Sequence, residues 1–187
     1  MNIEISQVAN LPSRFGEFHV KAFKENEKEH LVIYAKNLDE NPIVRVHSEC
    51  LTGDALGSLK CDCRDQLEYA LELINKEGGM VIYLRQEGRN IGLLNKINAY
   101  ALQDEGLNTI EANHQLGFAA DERTYEVVTF ILDYFKIEKI KLLTNNPDKI
   151  NALNGVEILK RIPIIMQSNE FNEAYLGVKR DEMGHLF

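Results

Sequence analysis

The sequence predicts an α/β (α+β) fold: a mixed sheet with helices, in which N-terminal antiparallel strands lead into a parallel βα core. Three observations carry that reading. From residue 80 onward, short apolar runs alternate with stretches of helical periodicity, as parallel strands and crossover helices do. Before residue 50 the apolar runs follow one another with no helical pattern between them, as in hairpins. Polar segments at 47–54, 85–92 and 144–149 sit at the ends of apolar runs, where open α/β sheets bind ligands.

In chain order, Phe18 to Phe23 and Leu31 to Ala35 flank a charged stretch from Lys24 to His30 and read as a hairpin. Pro42 to Val46 is a further strand, delivering Arg45, His47 and Glu49 ahead of Cys50. Leu67, Leu71 and Ile74 recur at three-to-four spacing, so 64–77 is an amphipathic helix closed by Gly78-Gly79. Met80 to Leu84 is a buried strand, and 85–92 a loop punctuated by Gly88 and Gly92. A helix runs from Leu93 to Gln103, residues 108–122 are polar and irregular, and helical periodicity returns over 123–135. Ile140 to Thr144 is a strand, Pro147 to Leu153 a short helix with proline in its first turn, and Val156 to Leu159 a last strand. No repeat, low-complexity tract or linker interrupts the 187 residues, so one domain is expected.

The composition is that of an ordinary globular protein, 44% apolar and 27% charged. No apolar run is long enough for a membrane span, and the start lacks a secretory pattern. A net charge of −8 argues against broad nucleic-acid binding. It leaves room for an anionic small molecule held by locally concentrated basic groups.

All three cysteines, Cys50, Cys61 and Cys63, fall within fourteen residues. Three thiols cannot close into a complete set of intrachain disulfides, and Cys61 and Cys63 are too close to bridge easily. Three thiolates do fit three corners of a tetrahedral zinc, leaving the fourth for water as catalytic sites do. Three thiols packed as small hydrophobes is the plainer alternative. Reduced, clustered cysteines point to the cytoplasm.

Other segments permit two readings each. Arg85 and Arg89, with Gly88 and Gly92, suit close backbone approach to a phosphate or are solvated loop residues. Thr144 to Lys149 is an anion site at a helix start or a helix cap. Asp121 is a general base or the N-cap of the helix at 123, with Arg123 facing phosphate in the first case. His114 is a fourth metal ligand, a base, or a structural histidine.

Taken together, several blocks resemble GTP cyclohydrolase II, the family that opens GTP at the start of riboflavin synthesis. They are Arg45 to Asp54, Cys61-Asp62-Cys63, Arg85 to Leu93, Tyr100 to Gln103, Asn113 to Gly117, Asp121 to Arg123 and Leu143 to Pro147. The ending Met183 to Leu186 also looks familial. The resemblance implies zinc on Cys50, Cys61 and Cys63, with water completing the site. It implies GTP contacts from Arg45, Val46, His47, Ser48, Glu49, Gln66, Glu87, Gly88, Arg89, Thr109, Thr144 and Lys149. Asp121 would accept a proton, Arg123 is assigned as nucleophile in the family, and Tyr100 would sit near the reacting base. Because a guanidinium stays protonated, a charge-stabilising role suits Arg123 better. The implied reaction is GTP plus water giving formate, pyrophosphate and 2,5-diamino-6-ribosylamino-4(3H)-pyrimidinone 5′-phosphate, with Mg2+ on the triphosphate. The family usually forms homodimers, and this chain, with no room for the second domain that many members carry, is expected to be the stand-alone form. Arg64 departs from the glycine many relatives have there. The alternatives are an enzyme of the same scaffold completing only part of the reaction, and a zinc-stabilised binding module without turnover.

Overall fold

The computed structural model describes residues 2–186. One mixed sheet runs β1(Ile3–Ile5)–β3(Gly16–Glu25)–β4(Lys28–Ala35)–β6(Met80–Leu84)–β5(Ile43–Ser48)–β7(Lys139–Leu143)–β8(Glu157–Ile162), with β2(Ala9–Ser13) also pairing β3. The first four strands and the β4–β6 junction are antiparallel, whereas β6, β5, β7 and β8 are parallel. The expected division into an antiparallel start and a parallel core is therefore present. The hairpin is tighter than expected: most of the charged stretch lies in the strands, and Asn26 makes the turn at φ 53°. Asparagine tolerates that left-handed geometry better than most residues.

The helices are α1(Leu51–Asp54), α2(Cys63–Glu77), α3(Gly92–Asp104), α4(Thr109–Gln115), α5(Glu126–Tyr134), α6(Pro147–Asn151) and α7(Glu173–Asp181). Two cores form, one on each face of the sheet. Ala70 and Ile74 of α2 pack with Ile43, Val81 and Leu143. Val127, Val128, Ile131 and Leu132 of α5 pack on the other face with Val44, Val46, Ile82 and Leu142. The period of two in β5 thus sends Val44 and Val46 under α5 and leaves Arg45 and His47 on the opposite face. Helix α2 ends at Gly78, φ 75°, where an added Cβ would lie 2.7 Å from the Asn37 carbonyl.

Strand β5 feeds β6 on one side, yet β7 lies on its other side. The strand order reverses at β5, which opens a crevice beyond the carboxyl ends of the parallel strands. The sequence of β5 delivers Ser48, Glu49 and Cys50 there.

Two stretches differ from expectation. Residues 108–122, read as irregular, contain α4, whose start is a capping box: Asn108 accepts from Glu111 N while the Glu111 carboxylate accepts from Asn108 N. The helix expected from 123 begins only at Glu126, and its N-cap is Tyr125 with no side-chain cap. Residues 119–125 are held in an irregular, non-helical path by the 86–90 loop. Gln86 donates to Thr124 O at 2.7 Å, Arg89 to Ala120 O at 3.2 Å, and Glu122 N to Arg89 O at 3.2 Å.

Candidate active site

Cys50 sits at the N-cap of α1 and is locked by the helix's own Asp54. One Asp54 oxygen accepts from Cys50 N at 3.0 Å and from the Tyr83 hydroxyl at 2.7 Å, and the other lies 3.1 Å from His47 Nε2. His47 stacks on Tyr83 with ring centroids 5.4 Å apart. Cys61 and Cys63 arrive at the start of α2, so all three sulfurs lie within 4.8 Å of one another. The Cys50–Cys61 separation is 3.6 Å. The backbone of Gly53 packs directly against them, leaving no room for a side chain there. A Cβ on Gly53 would lie 2.8 Å from Cys61 Sγ and 3.1 Å from Cys50 Sγ. Hydrogen bonds from the Cys61 and Cys63 thiols, together with nearby Lys96, hold Cys50 far below the ordinary thiol value. In return Cys61 is pushed up to about 11 and Cys63 well above its usual value. A soft divalent cation fits this set, since it replaces the protons that the sulfurs otherwise share.

The cleft extends from the sulfurs across the ends of β5 and β7 and encloses about 1150 Å³ of empty space, its open mouth included. Its walls are cationic. Arg45 is buried, donating to Leu143 O at 3.1 Å and to Gln66 Oε1 at 2.5 Å, and burial lowers it to about 10. Lys149 donates to Val46 O at 2.8 Å. Burial, reinforced by Arg45 and Arg123, pushes its ammonium well below the usual lysine value. Arg89 has φ 58° in the loop after Gly88, and its Nη2 is buried without a partner. Such unsatisfied, like-charged donors are what an anion would relieve.

Arg123 hydrogen-bonds both oxygens of Asp121, and its Nη1 lies 3.3 Å from Ser48 Oγ. Burial acts to lower Arg123, but Asp121 outweighs it and the guanidinium ends above its ordinary value. Burial likewise raises Asp121, while Arg123 holds it below the usual carboxylate range. Tyr100 lines the sulfur end, its hydroxyl 3.4 Å from Thr52 Oγ1, and burial raises its phenol. The helix start at Asn146 is at once a cap and a wall: Asn146 Oδ1 accepts from Asp148 N at 2.8 Å while Thr144 and Lys149 line the cleft.

The family model for GTP cyclohydrolase II matches residues 4–163. The chain belongs to the GTP cyclohydrolase II family. GTP cyclohydrolase-2 of Campylobacter hominis is 69% identical, covering 100% of this chain and 96% of its own. That of Campylobacter fetus is 68% identical, with 100% and 97% covered. That of Helicobacter pylori is 56% identical, with 98% of each covered. Among solved structures, a two-domain 3,4-dihydroxy-2-butanone 4-phosphate synthase from A. baumannii aligns over 88% of this chain and 40% of its own. Its TM-score is 0.47 at 20% identity.

Arg45, His47, Ser48, Glu49, Gln66, Glu87, Gly88, Arg89, Tyr100, Thr109, Arg123, Thr144 and Lys149 all line the cleft with the three cysteines. Val46 does not: its side chain is in the core and only its carbonyl reaches the site, as the acceptor for Lys149. Asp121 stands behind Arg123 rather than on the cleft wall. It caps no helix and instead accepts from Arg123 N at 3.0 Å. His114 is exposed in the last turn of α4, away from the sulfurs, while its neighbour Asn113 faces the cleft. Arg85 is paired with Glu49 at 2.9 Å and faces a separate surface recess. Arg64 pairs with Glu68 one turn along α2.

Sequence reasoning missed three contributors. Lys96 lies one turn before Tyr100 on α3, a spacing that placed it on the same face. Tyr175 and Lys179 share a face of α7 in the same way, in a stretch for which no helix is expected from the sequence. Lys179 reaches Asp62, between the two later cysteines, at 3.1 Å.

Proposed function

We propose that this chain hydrolyses GTP in the first step of riboflavin biosynthesis. It opens the imidazole ring and releases formate and pyrophosphate to leave 2,5-diamino-6-ribosylamino-4(3H)-pyrimidinone 5′-phosphate. One observation carries the reading: three convergent sulfurs form one end of a cleft whose other walls are buried cations, in a chain of net charge −8. A metal-fit cluster beside an anion clamp suits a substrate that is cleaved at one end and charged at the other.

Cys50, Cys61 and Cys63 would hold zinc, and Mg2+ would accompany the triphosphate. Zinc, when bound, supplies a Lewis acid that brings the pKa of water to about 7 in favourable sites. The protein's own groups do the rest. Arg45, Arg89 and Lys149 surround the phosphates, and polyphosphate charge would favour the protonated form of Lys149. Arg123, kept cationic by Asp121, stabilises charge that develops as pyrophosphate leaves. Asp121 acts by orienting that guanidinium, and its capacity to accept a proton is weakened by the same pairing. Tyr100 donates from its raised phenol near the reacting base. Ser48, Glu49, Gln66, Glu87, Gly88 and Thr109 shape the nucleoside pocket. His47 fixes the Cys50 turn through Asp54, and Val46 holds Lys149 through its carbonyl.

The same reading makes residues 1–187 one catalytic domain working as a cytoplasmic homodimer. A sedimentation mass near 21.4 kDa rather than twice that would remove the dimer. For the reaction, Cys61→Ser is expected to lower formate release at least about a hundredfold and to lose zinc. Formate release at the unsubstituted rate would remove the sulfur cluster from the mechanism.

A further inference from the structure

Lys96 is the buried cation to which the reading above gives no task. It lies within α3, 8% exposed, with Nζ 2.7 Å from Glu87 Oε1 and 3.2 Å from Cys50 Sγ. The carboxylate is itself fixed, because Glu87 Oε2 accepts from Leu51 N at 2.6 Å and Oε1 from Gly88 N at 2.9 Å. The lysine stem has no slack either: a Cβ on Gly88 would come within 3.0 Å of Lys96 Cβ. On its remaining side the Tyr100 ring centroid lies 5.7 Å from Nζ. Among the described residues Glu87 is the only carboxylate paired with Lys96. The ammonium is thus aimed at the sulfur by a carboxylate that is held in place by the start of α1.

That arrangement answers a chemical difficulty. Three thiolates donate strongly to a divalent cation and leave the centre with an excess negative charge, which erodes the metal's Lewis acidity. A charge-assisted N–H···S hydrogen bond draws electron density from the sulfur, and water does not screen it in a buried site. Outer partners of metal ligands commonly alter affinity or activity about 10- to 100-fold. The Cys50 sulfur has such a partner in Lys96.

We propose that Lys96 is a positioning residue for the metal centre: it pins Cys50 Sγ and withdraws charge from it. A metal on Cys50, Cys61 and Cys63 then keeps the acidity that ring opening requires. The inference rests on the zinc reading of the site.

The test replaces zinc with cobalt(II) in the unsubstituted protein and in Lys96→Met, which keeps the stem and removes the charge. The unsubstituted protein should show sulfur-to-cobalt charge-transfer absorption. In Lys96→Met that band should move to lower energy, because a thiolate without its hydrogen bond is easier to oxidise. The zinc-loaded variant should lose about tenfold in kcat for formate release, with KM for GTP within about twofold. A variant whose band stays put would show Lys96 to be a simple ion-pair strut and overturn the proposal. Absence of any charge-transfer band in the unsubstituted protein would instead sink the zinc reading itself. Should Lys96→Met fail to fold, cadmium-113 loading of unsubstituted, lysine-15N-labelled protein decides the matter. The Lys96 Nζ signal must move on loading, and an unmoved signal overturns the proposal.

Discussion

Arg123 shows how a single contact selects among roles. Its side chain is largely buried and its guanidinium is bound to both Asp121 oxygens, so it stays cationic and cannot easily supply a lone pair. The account predicts that Arg123→Lys lowers the rate of pyrophosphate release about 10²–10³-fold. It also predicts that mass spectrometry of the enzyme during turnover finds no nucleotide attached to Arg123. An adduct at that residue would restore the nucleophile reading. Much at this scale was legible in advance, because residue type sufficed: three clustered cysteines, two glycines in an arginine loop, and a polar Thr-Asn-Asn after a strand. Lys96 was not legible, since one lysine among many on a helix gains meaning only from the glutamate and sulfur it meets. Nor was the withdrawal of Val46 and Asp121 from the cleft wall, which depends on which face β5 turns to α5 and on the Arg123 pair.

Among the elements, the strands from β5 onward were readable because buried parallel strands are short, continuous apolar runs. The late start of α5 was hidden. Residues 123–125 have helical neighbours, yet Gln86 and Arg89 claim the carbonyls of Thr124 and Ala120, so tertiary hydrogen bonds override local preference. Helix α4 carried a visible signal, Asn108 with Glu111 three residues on, that its polar surroundings masked. Helix α7 carries Tyr175 and Lys179 to the cleft, and its tie is the Lys179–Asp62 pair. Burial would lower Lys179, but Tyr175 and Asp62 hold it above its ordinary value. Breaking such a buried pair is costly. Lys179→Met is therefore expected to speed amide hydrogen exchange across 173–186 by at least about tenfold, with zinc content unchanged. Unaltered exchange there would mean that α7 is held by other contacts.

Across the whole molecule, a chain of net charge −8 concentrates its buried cations at one end of one sheet. The fold class was readable from alternation alone, but the convergence of the three polar segments required the strand order, which reverses at β5. Burial also gives the protein an acid sensitivity. His30 and His47 are lowered mainly by desolvation, and His185 falls to about 3 through burial and the cations Lys179, Arg123, Lys149 and Arg89. In the unfolded chain these imidazoles titrate near 6.5, so below that pH the unfolded state binds more protons and gains. Stability should be full above about pH 6.5 and decline as pH falls toward the depressed folded values. Urea midpoints at pH 7.5 and pH 5 check this, and a midpoint no lower at pH 5 would refute it. The most direct test of the central claim is a product assay. Purified protein is given GTP and Mg2+, with and without a zinc chelator, and formate, pyrophosphate and the pyrimidine are scored by mass. The account predicts all three products, with formate lost on chelation; pyrophosphate alone from zinc-replete protein would contradict ring opening and leave only the phosphate chemistry.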